Sequence, residues 1–340
     1  MEVAVFGASG YTGGELIRLL TIHPVFNVVV ATSREYVGKP IYFAHPHLKG
    51  LLSLKFSSLD KAMEGGYDFA LLALPHGMSR DIVPKLLEIG VKVVDLGADF
   101  RLKDPDAYKS WYGWEHPYPD LLERAVYGMP ELHREDIKKA NLVASPGCNA
   151  TATILAAAPL AKLGVDYLIS DVKVGSSEAG SKPTKGTHHP ERSGAIRPYS
   201  PSGHRHQVEA EQELSRIAGR DIRVSIIPHS VGSVRGAFAS VHSIFEIDEG
   251  ELWRAYAKFY AGEPFVRVMQ KGSYPNVKSV LGSNFADVGF SSDKELARVT
   301  GFAAIDNLIK GAAGQAIQSL NIMAGLDETI GLKLPPLSPA

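Results

Sequence analysis

The segment Val3-Ala4-Val5-Phe6-Gly7-Ala8-Ser9-Gly10-Tyr11-Thr12-Gly13-Gly14 decides the fold. Four apolar residues in a row read as a buried strand, and the apolar positions from Leu16 to Leu20 read as a helix. Between them lies a glycine turn spaced G-x-x-G-x-x-G. Strand, glycine turn and helix together let the backbone approach a pyrophosphate and aim a helix N-terminus at it. The expected nucleotide contacts are Gly7, Ser9, Gly10, Tyr11, Thr12 and Gly13. The next strand, Asn27 to Thr32, runs into Ser33-Arg34-Glu35. An NAD site usually places a carboxylate there, whereas Arg34 suits a 2′-phosphate, so NADP(H) is the expected cofactor.

Strands expected at Tyr67 to Leu74, Lys92 to Leu96 and Asn141 to Ala144, with a helix over Ser79 to Ile89, complete an α/β doubly wound, Rossmann-type domain. Ligands bind beyond the carboxyl ends of such strands, which makes His76 and Arg101 candidates for the rim of the site.

The only cysteine of the 340 residues, Cys148, follows Ser145-Pro146-Gly147 where a strand gives way to an Ala-rich helix. A thiol at that position meets the positive end of the helix dipole, which favours the nucleophilic thiolate. A lone cysteine also rules out a disulfide within the chain. Gly203-His204-Arg205-His206 supplies imidazoles for acid/base work. Of His204 and His206, one is expected to be catalytic and the other structural or substrate-binding. Glu209 is placed either to orient an imidazole or to cap a helix over Gln207 to Ala218. The adjacent His188 and His189, with His204, His206 and one distant Cys, match no common zinc spacing, so no metal is expected.

From Cys148 to Ile305 the pattern turns to α+β. Strands are expected at Tyr167 to Gly175, Ile222 to Ile227, Gly236 to Ile247, Phe265 to Met269, Phe285 to Phe290 and Ala297 to Ile305, and a helix at Glu251 to Tyr260. A largely antiparallel sheet with one solvated face fits, and such a face often serves as an oligomer interface. The expected division is a nucleotide-binding domain of residues 1–147 and 307–340 and a catalytic and oligomerisation domain of 148–306. The helix over Ala312 to Ala324 is expected to return to the first domain. Between Lys182 and Arg205 stand Lys182, Lys185, Arg192, Arg197 and Arg205 against the single acid Glu191. The whole chain carries a net charge of -1. That contrast points to an anionic partner at this loop and away from nucleic acid. No apolar run approaches the roughly 18 to 20 residues of a membrane span, and a cytoplasmic protein is expected.

Taken in order, GASGYTGGELIRLL (7–20), LALPHG (72–77), VDLGADFRL (94–102), YGMPEL (127–132), SPGCNATAT (145–153), GHRHQVE (203–209) and AIDNLIKGAAGQAIQSLN (304–321) resemble the N-acetyl-γ-glutamyl-phosphate reductases. They equally resemble the lysine-biosynthesis counterparts that act on carrier-protein-bound aminoadipyl phosphate. The resemblance runs essentially end to end and implies a semialdehyde-dehydrogenase-like, NADPH-dependent acyl-phosphate reductase. By resemblance Cys148 is the nucleophile and His204 the acid/base, and Ser33 to Glu35 and Asn307 lie along the NADP. Arg101, Asn149, Ser177, Lys182, Arg205, His206 and Glu209 are then the substrate-side candidates.

Two departures favour the carrier-protein branch. Acetylglutamyl-phosphate enzymes follow the Cys with Tyr-Pro-Thr and carry a Ser-Gly-Ala-Gly turn, whereas this chain has Asn149-Ala150-Thr151 and Ser177-Glu178-Ala179-Gly180. The HHPER run at 188–192 points the same way, and the basic loop suits a small acidic carrier. The alternatives left open are an ordinary N-acetyl-γ-glutamyl-phosphate reductase, an aspartate-semialdehyde dehydrogenase and a non-enzymatic NADP-sensing regulator.

Overall fold

In the computed structural model, residues 1–337 are described. The apolar run at the N-terminus forms β1 (Glu2–Phe6), which pairs in parallel with β2 (Asn27–Ala31) on one side and β3 (Phe69–Leu72) on the other. With β4 (Lys92–Asp95), β5 (Val126–Tyr127) and β6 (Leu142–Ala144) they form a parallel sheet of order β2-β1-β3-β4-β6-β5. Burial on both faces explains why β1 and β3 read as unbroken apolar runs. The order reverses at β1, so the crevice at its carboxyl end is a topological switch point.

The helix expected over Ser79 to Ile89 divides into a 3₁₀ turn, Ser79–Asp81, and a helix, Val83–Glu88. Pro84 has no N–H, and its ring would strike the carbonyl four residues back, so one continuous helix cannot pass through it. Three helices absent from the sequence reading, Pro105–Tyr112, Pro119–Arg124 and Pro130–Lys139, each open on a proline. Its fixed φ suits a first helical position, where no backbone donor is needed.

The second sheet comprises β7 (Tyr167–Val174), β8 (Arg197–Pro198), β9 (Arg223–Ser230), β10 (Ala237–Ile244), β11 (Val266–Val268), β12 (Ala286–Asp293) and β13 (Arg298–Ile305). Its order is β11-β12-β13-β10-β7-β9-β8. It is mixed: β7 pairs in parallel with β9 and β11 with β12, while the other neighbours are antiparallel. Helix His206–Ala218 lies between β7 and β9 in the chain and supplies the crossover that a parallel pair needs. Along β7, Leu168, Ser170, Val172 and Val174 point inward, while Tyr167 and Ile169 are exposed on the opposite face.

Helix Cys148–Leu163 packs on this sheet and is buried from Asn149 to Ala161. Pro159 sits inside it and leaves the carbonyl of Leu155 without its helical donor. The hydroxyl of Tyr260 replaces that donor, reaching Leu155 O at 2.5 Å, and Tyr256 Oη donates to Ala156 O. Tyr260→Phe therefore leaves a buried carbonyl unsatisfied and is expected to cost about 1–3 kcal/mol, read as a lower denaturation midpoint at an unchanged denaturant slope. An unaltered midpoint would show that the carbonyl finds another donor.

Contacts divide the chain into one unit of Met1–Pro146 with Ala312–Lys333 and another of Gly147–Gly311 with the residues from Leu334. The return crossing thus lies after Gly311, five residues beyond the sequence expectation. Asn307 explains the shift: its Oδ1 accepts from Gly236 N (2.7 Å) and its Nδ2 donates to Ser177 Oγ (2.9 Å), both in the second unit. Leu337 N donates to Leu281 O (2.8 Å), which ties the last described residues to the second unit rather than the first. Positions 338–340 of the expected first domain lie outside the described residues. Helix Gly314–Met323 is fully buried and belongs to the first unit.

Candidate active site

Cys148 is the first residue of its helix, half-buried, behind an extended Gly147 that offers no side-chain cap. The first-turn N–H groups of a sixteen-residue helix are therefore directed to the thiol's end of the helix. Two features fix the approach of the chain. Gly147 N donates to the fully buried Glu209 carboxylate (3.0 Å), and a Cβ on Gly147 would stand 2.2 Å from His206 Nε2. Only glycine lets the imidazole pack that closely. On the other side, a Cβ on Gly311 would lie 2.8 Å from Cys148 Cβ, so a second glycine keeps space beside the nucleophile.

The two histidines stand where the chain enters a helix. Arg205 is already helical and His206 opens helix His206–Ala218. The two rings therefore meet edge to face with centroids 4.7 Å apart. His206 N donates to His204 Nδ1 (3.2 Å), so a neutral His204 carries its proton on Nε2. Burial, reinforced by the Arg205 cation, pushes the His204 pKa down to about 4. At neutral pH His204 is thus an uncharged Nε2–H donor.

Two residues escaped the sequence reading, and Tyr199 is the first. Tyr199 Oη accepts from Asn149 Nδ2 (3.2 Å), the Cys148 thiol lies 3.7 Å from Asn149 Oδ1, and the Tyr199 ring meets His204 edge to face at 5.8 Å. Burial raises the phenol's pKa, and the charges of Glu178 and Cys148 add to the rise. Tyr199 therefore stays a neutral hydroxyl. Nothing in its local sequence marked it, because its partner Asn149 lies 50 residues away.

Of the substrate-side candidates, Asn149, Ser177, His206 and Glu209 are buried or half-buried within the second unit, while Lys182 and Arg205 are exposed. In the basic loop, Lys185 and Arg197 are exposed too, but Arg192 is buried. Arg101 belongs to the first unit and is buried, donating from Nε to Ser145 O and from Nη2 to Leu96 O, both at 2.8 Å. It braces the strand ends that lead to the cysteine.

The glycine turn of the first unit has the shape of a phosphate cradle. Gly7 has φ +71°, and a Cβ there would lie 2.2 Å from Ala73 O. A Cβ on Gly13 would lie 2.5 Å from Gly7 O. Gly10 caps helix Tyr11–Thr21 without a side-chain bond, leaving first-turn N–H groups for a ligand. His45, also missed from sequence, sits at 2.7 Å from Ala8 O and steadies the turn. At the end of β2, Ser33 Oγ donates to Ser9 Oγ (3.0 Å) and accepts from Glu35 N and Tyr36 N. Glu35 accepts from the Tyr36 hydroxyl, whereas Arg34 is exposed, with its Nη2 3.5 Å from Met78 Sδ. Among the described residues no cluster of three or more His, Cys, Asp or Glu side chains is arranged to hold a metal ion.

Residues 2–140 match the family model of the semialdehyde dehydrogenase NAD binding domain, and residues 148–307 that of the semialdehyde dehydrogenase dimerisation domain. LysW-L-2-aminoadipate/LysW-L-glutamate phosphate reductases from Sulfurisphaera tokodaii and Saccharolobus solfataricus are each 58% identical over 349 residues, covering 100% of this chain and 100% and 99% of theirs. Among solved structures, aspartate semialdehyde dehydrogenase II from Vibrio cholerae has a TM-score of 0.73 at 19% identity, covering 95% of this chain and 98% of its own. The Candida albicans aspartate semialdehyde dehydrogenase with NADP has a TM-score of 0.71 at 17% identity, covering 97% and 99%. The structural likeness speaks for the fold and the sequence identity for the kinship: the chain belongs to the semialdehyde dehydrogenase family, in the branch those two reductases represent.

Proposed function

We propose that this protein reduces a carrier-protein-bound acyl phosphate, that of aminoadipate, of glutamate or of both, to the semialdehyde with NADPH, releasing phosphate. The observation that carries the reading is the full-length 58% identity to reductases so named, together with a cysteine at the N-terminus of a sixteen-residue helix. The glycine cradle fits a pyrophosphate. The exposed Arg34, beside a Glu35 already engaged by Tyr36, suits a 2′-phosphate better than a free ribose hydroxyl. When bound, the reduced nicotinamide supplies the hydride.

The protein's own groups do the rest. The Cys148 thiolate attacks the acyl carbonyl carbon, the bond from that carbon to the phosphate oxygen breaks, and a thioester remains. After reduction, His204 Nε2–H donates a hydrogen bond to the oxyanion of the thiohemiacetal; the oxyanion re-forms a carbonyl as the C–S bond breaks, which frees the aldehyde and restores the thiolate. The neutral state of His204 suits a hydrogen-bond donor that keeps its proton throughout. First-turn N–H groups of helix Cys148–Leu163 favour the negative charge that appears in each step.

The exposed Lys182, Lys185, Arg197 and Arg205 support docking of a small acidic carrier. Tyr167, Ile169 and Ile244, exposed on one sheet of a domain that matches a dimerisation model, support a homo-oligomer. Among the described residues no helix is long and apolar enough to cross a membrane, in keeping with a cytoplasmic site of action.

The test is NADPH consumption with carrier-linked aminoadipyl phosphate, carrier-linked glutamyl phosphate and N-acetylglutamyl phosphate side by side. The expected result is that kcat/KM for at least one carrier-linked substrate exceeds that for the acetylated one by about 10²-fold or more, with the excess shrinking as salt screens the basic loop. Equal or better use of the acetylated substrate would return the protein to ordinary arginine synthesis.

A further inference from the structure

Asn149, Glu178 and Arg192, from the Asn-Ala-Thr, Ser-Glu-Ala-Gly and HHPER runs, converge on Tyr199 in the second unit although they lie far apart in the chain. Arg192 is 6% exposed. Its Nε donates to Val231 O (3.2 Å) and its Nη2 to Val174 O (3.3 Å), which ties the guanidinium to the carboxyl ends of β7 and β9. Nη1 is left over. It lies 4.0 Å from Glu178 Oε1, beyond hydrogen-bond reach. Neither Nη1 nor the Glu178 carboxyl has another hydrogen-bond partner among the described residues. Burial raises the Glu178 pKa, and Arg192 only partly offsets the rise.

An ion pair kept for structure alone gains most from a short, bidentate contact, and here Glu178 keeps 19% of its side chain exposed, which leaves its carboxyl open to a ligand. This pair does not close. Both its members act on the Tyr199 hydroxyl, and so does the Cys148 thiol. Tyr199 also holds Asn149, the residue after the nucleophile. Thus a cation and an acceptor, each short of one partner, act on the same Tyr199 hydroxyl as the reacting thiol.

An acyl phosphate built on an N-acylated amino dicarboxylate has a reacting end and a head. The head presents a carboxylate next to a secondary amide N–H, which is what an unpaired guanidinium N–H and an unpaired carboxylate oxygen complement. We infer that Arg192 and Glu178 bind this head: Arg192 Nη1 takes the α-carboxylate and Glu178 accepts from the α-amide N–H, holding the phosphorylated end toward Cys148. The inference rests on the acyl-phosphate reading and makes these two residues determinants of substrate specificity.

The test pairs a substrate with an analogue in which a carboxamide replaces the α-carboxylate. With the unsubstituted enzyme the analogue is expected to lose about 30-fold in kcat/KM, mainly through KM. Arg192→Met should lose about as much on the full substrate and nothing further on the analogue, while Arg192→Lys recovers part of the loss. Glu178→Gln keeps an acceptor oxygen and should stay within about threefold, whereas Glu178→Leu should lose about tenfold. Binding of N-acetyl-L-glutamate against its α-carboxamide, measured by calorimetry, reads the same discrimination without turnover. The head site therefore stands or falls separately from the reaction assigned to the enzyme. Equal losses for Arg192→Met on both substrates, or an analogue handled like the substrate by the unsubstituted enzyme, would reduce the pair to a structural one.

Discussion

Cys148→Ala is expected to lower turnover at least about 10³-fold while leaving NADPH affinity within about twofold, because the thiol is the group that makes the covalent bond and the nucleotide cradle is built from the other unit. The variant keeps the Cβ that lies beside Gly311, so the helix terminus is not disturbed. The direct readout is a single turnover without nucleotide. Unsubstituted enzyme mixed with acyl phosphate should release one equivalent of phosphate per chain and gain the mass of the acyl group. That adduct needs no mapping, since the chain holds one cysteine. A variant that still gave the burst would exclude the thioester.

Gly7→Ala is expected to destabilise the first unit by about 2–5 kcal/mol. The left-handed backbone costs an L-residue roughly 1–2 kcal/mol, and overpacking adds about 1–3. Here the clash is with backbone: the new Cβ would meet Ala73 O at 2.2 Å and Ala73 C at 2.9 Å, where the chain leaves β3. No rotamer change relieves it. Gly10→Ala provides the contrast, since its φ is -80° and the nearest atom to a new Cβ is Gly7 O at 3.6 Å. That variant should unfold at nearly the parental midpoint yet bind NADPH about tenfold more weakly, as the methyl occupies space meant for the pyrophosphate. Comparable denaturation midpoints for the two variants would refute the assignment of Gly7 as the strained position.

The first unit was legible because its signals are local. An apolar strand, a glycine turn and a helix succeed one another within the first 21 residues, and their spacing alone implies the parallel switch point. β5 was not legible, since two residues carry no period, and the proline-led helices were hidden by their polar composition. In the site, Cys148 stood out through its turn and helix. Its surroundings did not. Tyr199 matters through a partner 50 residues away and His45 through a carbonyl 37 residues away, and Glu178 and Arg192 stood in runs already singled out without their meeting being visible. The contact of the two histidine rings was not legible either, because it depends on the chain turning helical at Arg205, which brings His204 and His206 edge to face.

The proline inside the helix that carries the nucleophile has an evolutionary consequence. Pro159 and Tyr260 share one carbonyl, so neither position is free to change alone. Losing the tyrosine hydroxyl while the proline remains strands Leu155 O. Replacing the proline with alanine first supplies an N–H to that oxygen, after which the hydroxyl becomes dispensable. The route from Pro-Tyr to Ala-Phe is therefore open in one order and steep in the other. Lineages of this family should be found to have exchanged the two residues in that sequence, with the double change costing less than the sum of the single ones.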